Sequence, residues 1–403
     1  MLFLIEHPKY RMIILAVIAF AATELVFWPL LRIARKGSIT DNPDGRKLQK
    51  IPIPVLGGAA VFFGIMVGMS FFKTMHTYTT LFPVISAMVI MLYVGIIDDV
   101  MGVPAWKRLV IETIVGLLVI YGNRFYIRNF QGLWGIDALS IVPGIILSVI
   151  TFVGIVNAIN MMDGIDGLSS SFCIMICTFF GLLFFLSHDY SYAGLATVSI
   201  GAILPFFLHN VFGLKTKMFI GDGGTMVMGT MISSMVFELL RGSFHTRMME
   251  FTGMNFSLIA FCLAVLAIPV ADTVRVMTER IVKGRSPFSP DRRHLHHLFI
   301  DLNLSYIFTT MVEVVLALLV IAAFAVSCAL GASVDGQLYT VIAAALLADG
   351  GVSLLLRRWA SKDTEFTRKL RRRAERTHVE RRGIWLRLQH LVDGHDREPQ
   401  ANS

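Results

Sequence analysis

The sequence predicts an all-α polytopic membrane protein of about eleven transmembrane helices, with the N-terminus outside and the C-terminus cytoplasmic. Three observations predict it. Hydrophobic residues make up 55% of the 403 residues and charged residues only 16%, too oily for a soluble globular chain. Apolar stretches of roughly 20 residues, the length that crosses a hydrocarbon core as a helix, recur along the chain. Lysine and arginine, finally, are distributed very unequally between alternate loops.

The apolar stretches fall at 11–31, 54–73, 81–97, 109–122, 140–157, 169–187, 193–212, 223–240, 255–275, 306–330 and 337–356. In lipid each backbone polar group must be satisfied within its own segment, so these are helices, and the short alternating segments of a membrane β-barrel do not occur. The first stretch lacks a small-residue cleavage site and runs into Trp28 and Pro29, so it reads as a retained span rather than a signal peptide. Cys173, Cys177, Cys262 and Cys328 all fall inside spans and read as small apolar side chains.

Orientation follows from charge. The loop 32–53 carries Arg32, Arg35, Lys36, Arg46, Lys47 and Lys50, and the loop after the ninth stretch carries six more basic residues from Arg275 to Arg293. With Lys107, Arg108, Lys215, Lys217 and the tail from Arg357, 29 of the 36 basic residues lie on one side, which is expected to be cytoplasmic. Residues 1–356 read as one membrane domain. The tail, 357–403, is basic, and Ile384–Leu388 within it is amphipathic, which suits either an interfacial helix on anionic lipid or a solvated topology signal. No nucleic-acid-binding module accompanies the charge.

The chemistry is expected where acids gather at helix ends on the cytoplasmic side. Asp98 and Asp99 end the third, inward-running helix, where the macrodipole is already negative. Two carboxylates there cost about 1 kcal/mol beyond their mutual repulsion unless a cation or basic group sits beside them. Asn157, Asn160, Asp163 and Asp166 cluster in the glycine-containing turn between the fifth and sixth stretches, more polar groups than capping alone requires. Asp222 opens the eighth stretch within Phe219-Ile220-Gly221-Asp222-Gly223-Gly224-Thr225, where a helix cap is the plain structural reading.

Arg293, His294, His296 and His297 follow in the basic loop before the tenth stretch. Three histidines in four residues cannot all face one ion on a regular helix, and no cysteine is near, so a phosphate-binding loop suits them better than zinc. Arg46 and Lys47 suit phosphate anchoring, whereas Pro52, Pro54, Gly57 and Gly58 shape a loop and a close helix contact. Hard carboxylate oxygens beside cationic side chains favour Mg²⁺ and phosphoryl transfer, and the membrane frame implies a lipid partner.

In this order the five motifs resemble those of the polyprenyl-phosphate N-acetylhexosamine-1-phosphate transferases, over about residues 10–356. The chain looks like the branch that makes undecaprenyl-diphosphate N-acetylglucosamine for surface polysaccharides such as lipopolysaccharide O-antigen. The resemblance implies a multi-pass enzyme of the cytoplasmic (inner) membrane with UDP-GlcNAc as donor, undecaprenyl phosphate as acceptor, UMP as product and Mg²⁺ as cofactor. It implies that Asp222, with Asp98, holds Mg²⁺ and that Asp98 is the base toward the lipid phosphate, with Asp99 supporting the site. Asn157, Asn160, Asp163 and Asp166 would line the nucleotide pocket and Phe219 would stack on uracil. His294, His296 and His297, with Arg293, would contact the diphosphate or sugar phosphate.

A phosphate monoester is already largely dianionic at pH 7, so Asp98 could instead organise charge, and a covalent aspartyl intermediate is the alternative scheme. Gln49 stands where many relatives carry histidine, and Thr225 where serine is usual. Other UDP-N-acetylhexosamines or UDP-MurNAc-pentapeptide are the alternative donors, and a homodimer is the candidate assembly. The rival from another class is a transporter of a phosphorylated solute, which would place ionisable residues near the bilayer midplane.

Overall fold

The computed structural model describes residues 7–41, 51–72, 75–123, 126–241, 255–289, 292–361, 365–378 and 383–394. Helix forms in each of the eleven apolar stretches. The elements are α1 (Pro8–Lys36), α2 (Gly57–Ser70), α3 (Met75–Met101), α4 (Ala105–Asn123), α5 (Ile141–Met161), α6 (Leu168–Leu186), α7 (Tyr190–Phe212) and α8 (Gly221–Leu239). They continue with α9 (Leu258–Val265), α10 (Ala267–Val282), the short α11 (Leu295–Asp301), α12 (Tyr306–Ala329), α13 (Val334–Ala345) and α14 (Val352–Ala360). A π-helical stretch, Leu346–Gly351, joins the last two into one continuous rod.

Among the described residues seven helices are long and apolar enough to cross a membrane, or eight if the bent pair α9–α10 counts as one. Their outward faces carry large apolar side chains, such as Val17 and Leu25 on α1, Ile146 and Ile150 on α5, and Leu319 on α12. That is the arrangement a lipid solvent favours. The chain is a multi-pass membrane protein.

The ninth stretch differs from the straight span expected over 255–275: α9 and α10 meet at Leu266 with a 75° bend. Pro269 accounts for it. Its ring removes the N–H that would bond to Val265 and collides with that carbonyl, so the helix must restart, with proline tolerated in the new first turn. The bend turns α10 out of the line of α9 and brings Asp272 to the histidine loop.

The innermost element is α8, buried along nearly its whole length and packed by α2, α3, α5 and α6. Small residues make this possible. A Cβ on Gly58 would lie 2.2 Å from Gly224 Cα, and one on Gly95 would lie 2.3 Å from Gly223 Cα. Backbones therefore touch where α2 and α3 cross the first turn of α8, as small residues permit between membrane helices. The segment before α2 pairs with the segment before α8: Phe219 N–H donates to Pro54 O (2.8 Å), and Gly57 and Gly58 N–H donate to Phe219 O (3.0 Å) and Ile220 O (2.8 Å). The proline–glycine motif is thus a structural brace beside the site, as the sequence indicates.

After α14 the tail forms α15 (Glu365–Ala374) and α16 (Ile384–Asp393). Two small hairpins, β1–β2 (Thr40–Asp41 with Ile53–Pro54) and β3–β4 (Asn129–Leu133 with Ile136–Ala138), complete the elements.

Candidate active site

The polar helix ends meet at one end of α8. The cost of placing Asp98 and Asp99 at the C-terminus of α3 is offset by where each points. Asp99 reaches the start of α8, accepting the N–H groups of Asp222 (3.0 Å) and Gly223 (3.3 Å), so its charge faces the positive end of a neighbouring helix. Asp98 accepts the Val103 N–H (2.6 Å) and an Arg108 guanidinium N–H (3.2 Å). Arg108 also lies 4.0 Å from Asp222 Oδ2, linking the two acids. Asn160, in the last turn of α5, donates to Asp222 Oδ1 (2.7 Å) and to Thr225 Oγ1 (2.9 Å), which fixes the Asp222 carboxylate.

A cleft of about 1080 Å³ opens over these groups. Of the residues expected in the site, Asp98, Asp99, Asn160, Asp163, Asp166, Phe219, Asp222 and His297 line it. Asp163 faces the opening and accepts the Ser169 hydroxyl (2.6 Å). The walls around it withdraw enough water to push its carboxyl up to about 7, against the lowering effect of that hydrogen bond, and the negative charge of Asp222 adds to the rise. Asp166 is ion-paired to Lys217.

Other expected residues sit elsewhere. Asn157 is buried behind the cleft rather than lining it, donating to Glu112 Oε2 (2.5 Å) and accepting from Arg108 (3.4 Å). It supports Arg108, because a helix interior position one turn before Asn160 faces the packed core. His294 is 6% exposed and outside the cleft lining. Its Nδ1 lies 2.6 Å from Asp272 Oδ2, and Asp272 Oδ1 accepts the Leu295 N–H at 2.9 Å. Arg293 lies 3.8 Å from Glu279 and also stands outside the lining.

His296 is buried against Gly164, and burial, with neighbouring His297, drives its pKa well below the ordinary imidazole range. Among the described residues only His297 of the three histidines borders the cleft; the first turn of α11 points the others inward. Arg46, Lys47 and Gln49 lie outside the described residues.

Sequence reasoning gave no site role to Arg35, Lys215, Lys217 and Tyr306, which also line the cleft, as do Arg292 of the basic histidine loop and Asp41. Arg35, Lys215 and Lys217 entered only as topology signals, and nothing local in the sequence distinguishes a cleft-lining lysine from a loop lysine. Asp272 was missed because its partner His294 lies 22 residues further along the chain.

Among the described lining residues, six aspartates face four lysines and arginines. An excess of hard anionic oxygen, with Asp98 and Asp222 side by side, fits a divalent cation. No group of three or more acidic, histidine or cysteine side chains closes a metal cage among the described residues. Mg²⁺ takes one or two protein carboxylates and completes its shell with phosphate oxygens and water, and Asp98 and Asp222 are the lining carboxylates such an ion would use.

Comparison with known proteins gives independent matches. Residues 81–240 match the pattern of Glycosyl transferase family 4. The chain is 28% identical over 282 residues to the undecaprenyl-phosphate alpha-N-acetylglucosaminyl 1-phosphate transferase of Escherichia coli (strain K12), covering 69% of this chain and 74% of that one. It is 29% identical over 284 residues to the protein of the same name from Salmonella typhi, with the same coverage. A probable undecaprenyl-phosphate N-acetylglucosaminyl 1-phosphate transferase of Bacillus subtilis (strain 168) is 26% identical over 309 residues, 74% of this chain and 80% of that one. The matched region contains Asp98, Asp99, Asn160, Asp163, Asp166 and Asp222, the acids and amide that converge on the cleft. These matches bear out the resemblance read from the motifs, and over residues 81–240 the chain is similar to glycosyl transferase family 4.

Proposed function

We propose that the protein transfers GlcNAc-1-phosphate from UDP-GlcNAc to undecaprenyl phosphate and releases UMP, initiating a lipid-linked surface polysaccharide at the cytoplasmic face of the inner membrane. The observation that carries the proposal is the convergence of Asp98, Asn160, Asp163, Phe219 and Asp222 on one cleft rimmed by Arg35, Lys217 and Arg292. The names of the relatives favour GlcNAc as the sugar. In this reading the chain crosses the bilayer eleven times, with its N-terminus outside and residues 357–403 cytoplasmic, as the basic-residue asymmetry favours.

Asp222 and Asp98 hold Mg²⁺, which when bound neutralises the diphosphate charge. Lys217 and Arg292 contact phosphate oxygens, and Phe219 stacks on the uracil. An oxygen of the lipid phosphate attacks the β-phosphorus of UDP-GlcNAc. The bond from that phosphorus to the bridging oxygen breaks, and UMP departs with the electron pair. Asp98 takes any remaining proton of the lipid phosphate, or serves only to organise charge where the phosphate is already dianionic. Asp99 is committed to two backbone amides, which leaves it poorly placed as a covalent nucleophile.

The test is to incubate detergent-purified protein with radiolabelled UDP-GlcNAc, undecaprenyl phosphate and Mg²⁺, in parallel with UDP-GalNAc and UDP-MurNAc-pentapeptide. Butanol-extractable label from UDP-GlcNAc alone supports the reading. No transfer from any donor rejects it, and a phosphoryl-enzyme formed from donor alone rejects direct attack.

A further inference from the structure

The C-terminal helix α16 docks on the cleft wall through a single carboxylate. Asp393 accepts three consecutive backbone N–H groups, from Leu214 (3.1 Å), Lys215 (3.2 Å) and Thr216 (3.1 Å), and the Thr216 hydroxyl (3.0 Å). Successive amides converging on one anion form a nest, and this one is filled by the chain itself. Trp385, at the other end of the helix, packs on Phe212 with ring centroids 4.7 Å apart. Thr216 continues the network inward, to His209 Nδ1 at 3.0 Å, and His209 Nε2 lies 3.1 Å from Glu24 on α1.

The segment so held is the cleft wall itself. Leu214, Lys215, Lys217 and Phe219 line the cleft, and Lys217 pairs with Asp166 across it. The segment has no regular secondary structure between the end of α7 and the start of α8, so its amides have few partners of their own kind. We propose that Asp393 is a positioning residue for nucleotide binding: it fixes residues 214–216 and thereby presents Lys217 and Phe219 to the donor. The choice of a uridine nucleotide as ligand rests on the function proposed above. The basic tail then does more than mark topology, since its last helix completes the donor side of the site.

The test uses the full chain and UDP as the probe, so that it does not depend on turnover. Asp393→Ala is expected to weaken calorimetric UDP binding about tenfold, the effect of losing a charge-assisted set of hydrogen bonds that orders the wall. The same variant should speed hydrogen exchange at the amides of 214–216, and Asp393→Glu should restore part of both. In the transfer assay the KM for UDP-GlcNAc should rise while the KM for undecaprenyl phosphate and kcat stay within about twofold. Unchanged UDP affinity in Asp393→Ala overturns the proposal, even if the amides exchange faster, because docking is then only structural. Equal loss of both KM values and of thermal stability overturns it as well, as does a wild-type chain that fails to bind UDP. A wild-type chain that binds UDP but transfers nothing sinks only the catalytic reading.

Discussion

Asp99 on α3 caps the helix that begins with Asp222, its two oxygens accepting the N–H groups of Asp222 (3.0 Å) and Gly223 (3.3 Å). The third and eighth apolar segments are therefore joined at the point where the chemistry is placed. A cap of this kind contributes about 1–2 kcal/mol.

Asp99→Ala is expected to lower the melting temperature in detergent and to reduce turnover together, because the first turn of α8 loses both its cap and the anchor of Asp222. Asp99→Asn keeps one acceptor oxygen and should fall between wild type and alanine on both measures. Turnover lost at unchanged stability in both variants would show Asp99 acting on substrate directly.

Asp98→Asn and Asp222→Asn should each lower kcat by about two orders of magnitude or more, the scale for removing a charge aimed at a transferring phosphoryl group. Neither should unfold the protein, since an amide oxygen can still accept from Val103 N–H or from Asn160. Mg²⁺ titration is the discriminating measurement. Both variants should require more Mg²⁺ for half-maximal rate, and near-normal rates in both would contradict the site assignment.

Asp98 stood out in the sequence because it breaks a local rule, an acid at a negative helix end, whereas Asp222 alone reads as a helix cap and gained its site reading from the neighbouring clusters and the resemblance. The placement of His294 was not legible. It depends on Asp272, and Asp272 faces the histidine loop only because Pro269 forces a 75° bend that a hydropathy pattern cannot register. Periodicity likewise located α8 as helix but not as the central element, which the Gly58–Gly224 and Gly95–Gly223 contacts decide. Lys217 was counted for topology alone, since its partner Asp166 is 51 residues distant.

The carboxyl of Asp163, pushed up to about 7, titrates where the enzyme would work. Desolvation by the surrounding cleft walls favours the protonated form, so folding takes up a proton there, and this contribution to stability declines as pH rises from the ordinary carboxylate value toward 7. For activity the sign depends on Ser169, whose hydroxyl bond favours the carboxylate. Ser169→Ala should raise the Asp163 midpoint by about one unit and move the acidic limb of the kcat/KM profile the same way. An unmoved limb would assign that limb to another group.

Glycine contacts at the helix crossings make a final prediction that separates packing from chemistry. A Cβ at Gly58 would lie 2.2 Å from Gly224 Cα and 2.8 Å from Ile220 O, both backbone atoms that no rotamer change can move aside. Gly58→Ala must therefore push α2 away from α8, and overpacking of this kind costs about 1–3 kcal/mol. A Cβ at Gly164 would instead meet the His296 ring, 2.1 Å from Nε2, and a side chain can shift. Gly164→Ala should leave the melting temperature closer to wild type while displacing His296 and the adjoining cleft wall, so that its loss appears in KM for the donor. Gly154 has open space around its Cβ position and lies within α5, so Gly154→Ala should be neutral or stabilising, by up to about 1 kcal/mol from helix propensity. Thermal unfolding in detergent ranks the three. Equal melting temperatures for Gly58→Ala and Gly154→Ala would mean that α2 and α8 do not touch backbone to backbone, and the convergence of the acids at the start of α8 would lose its structural basis.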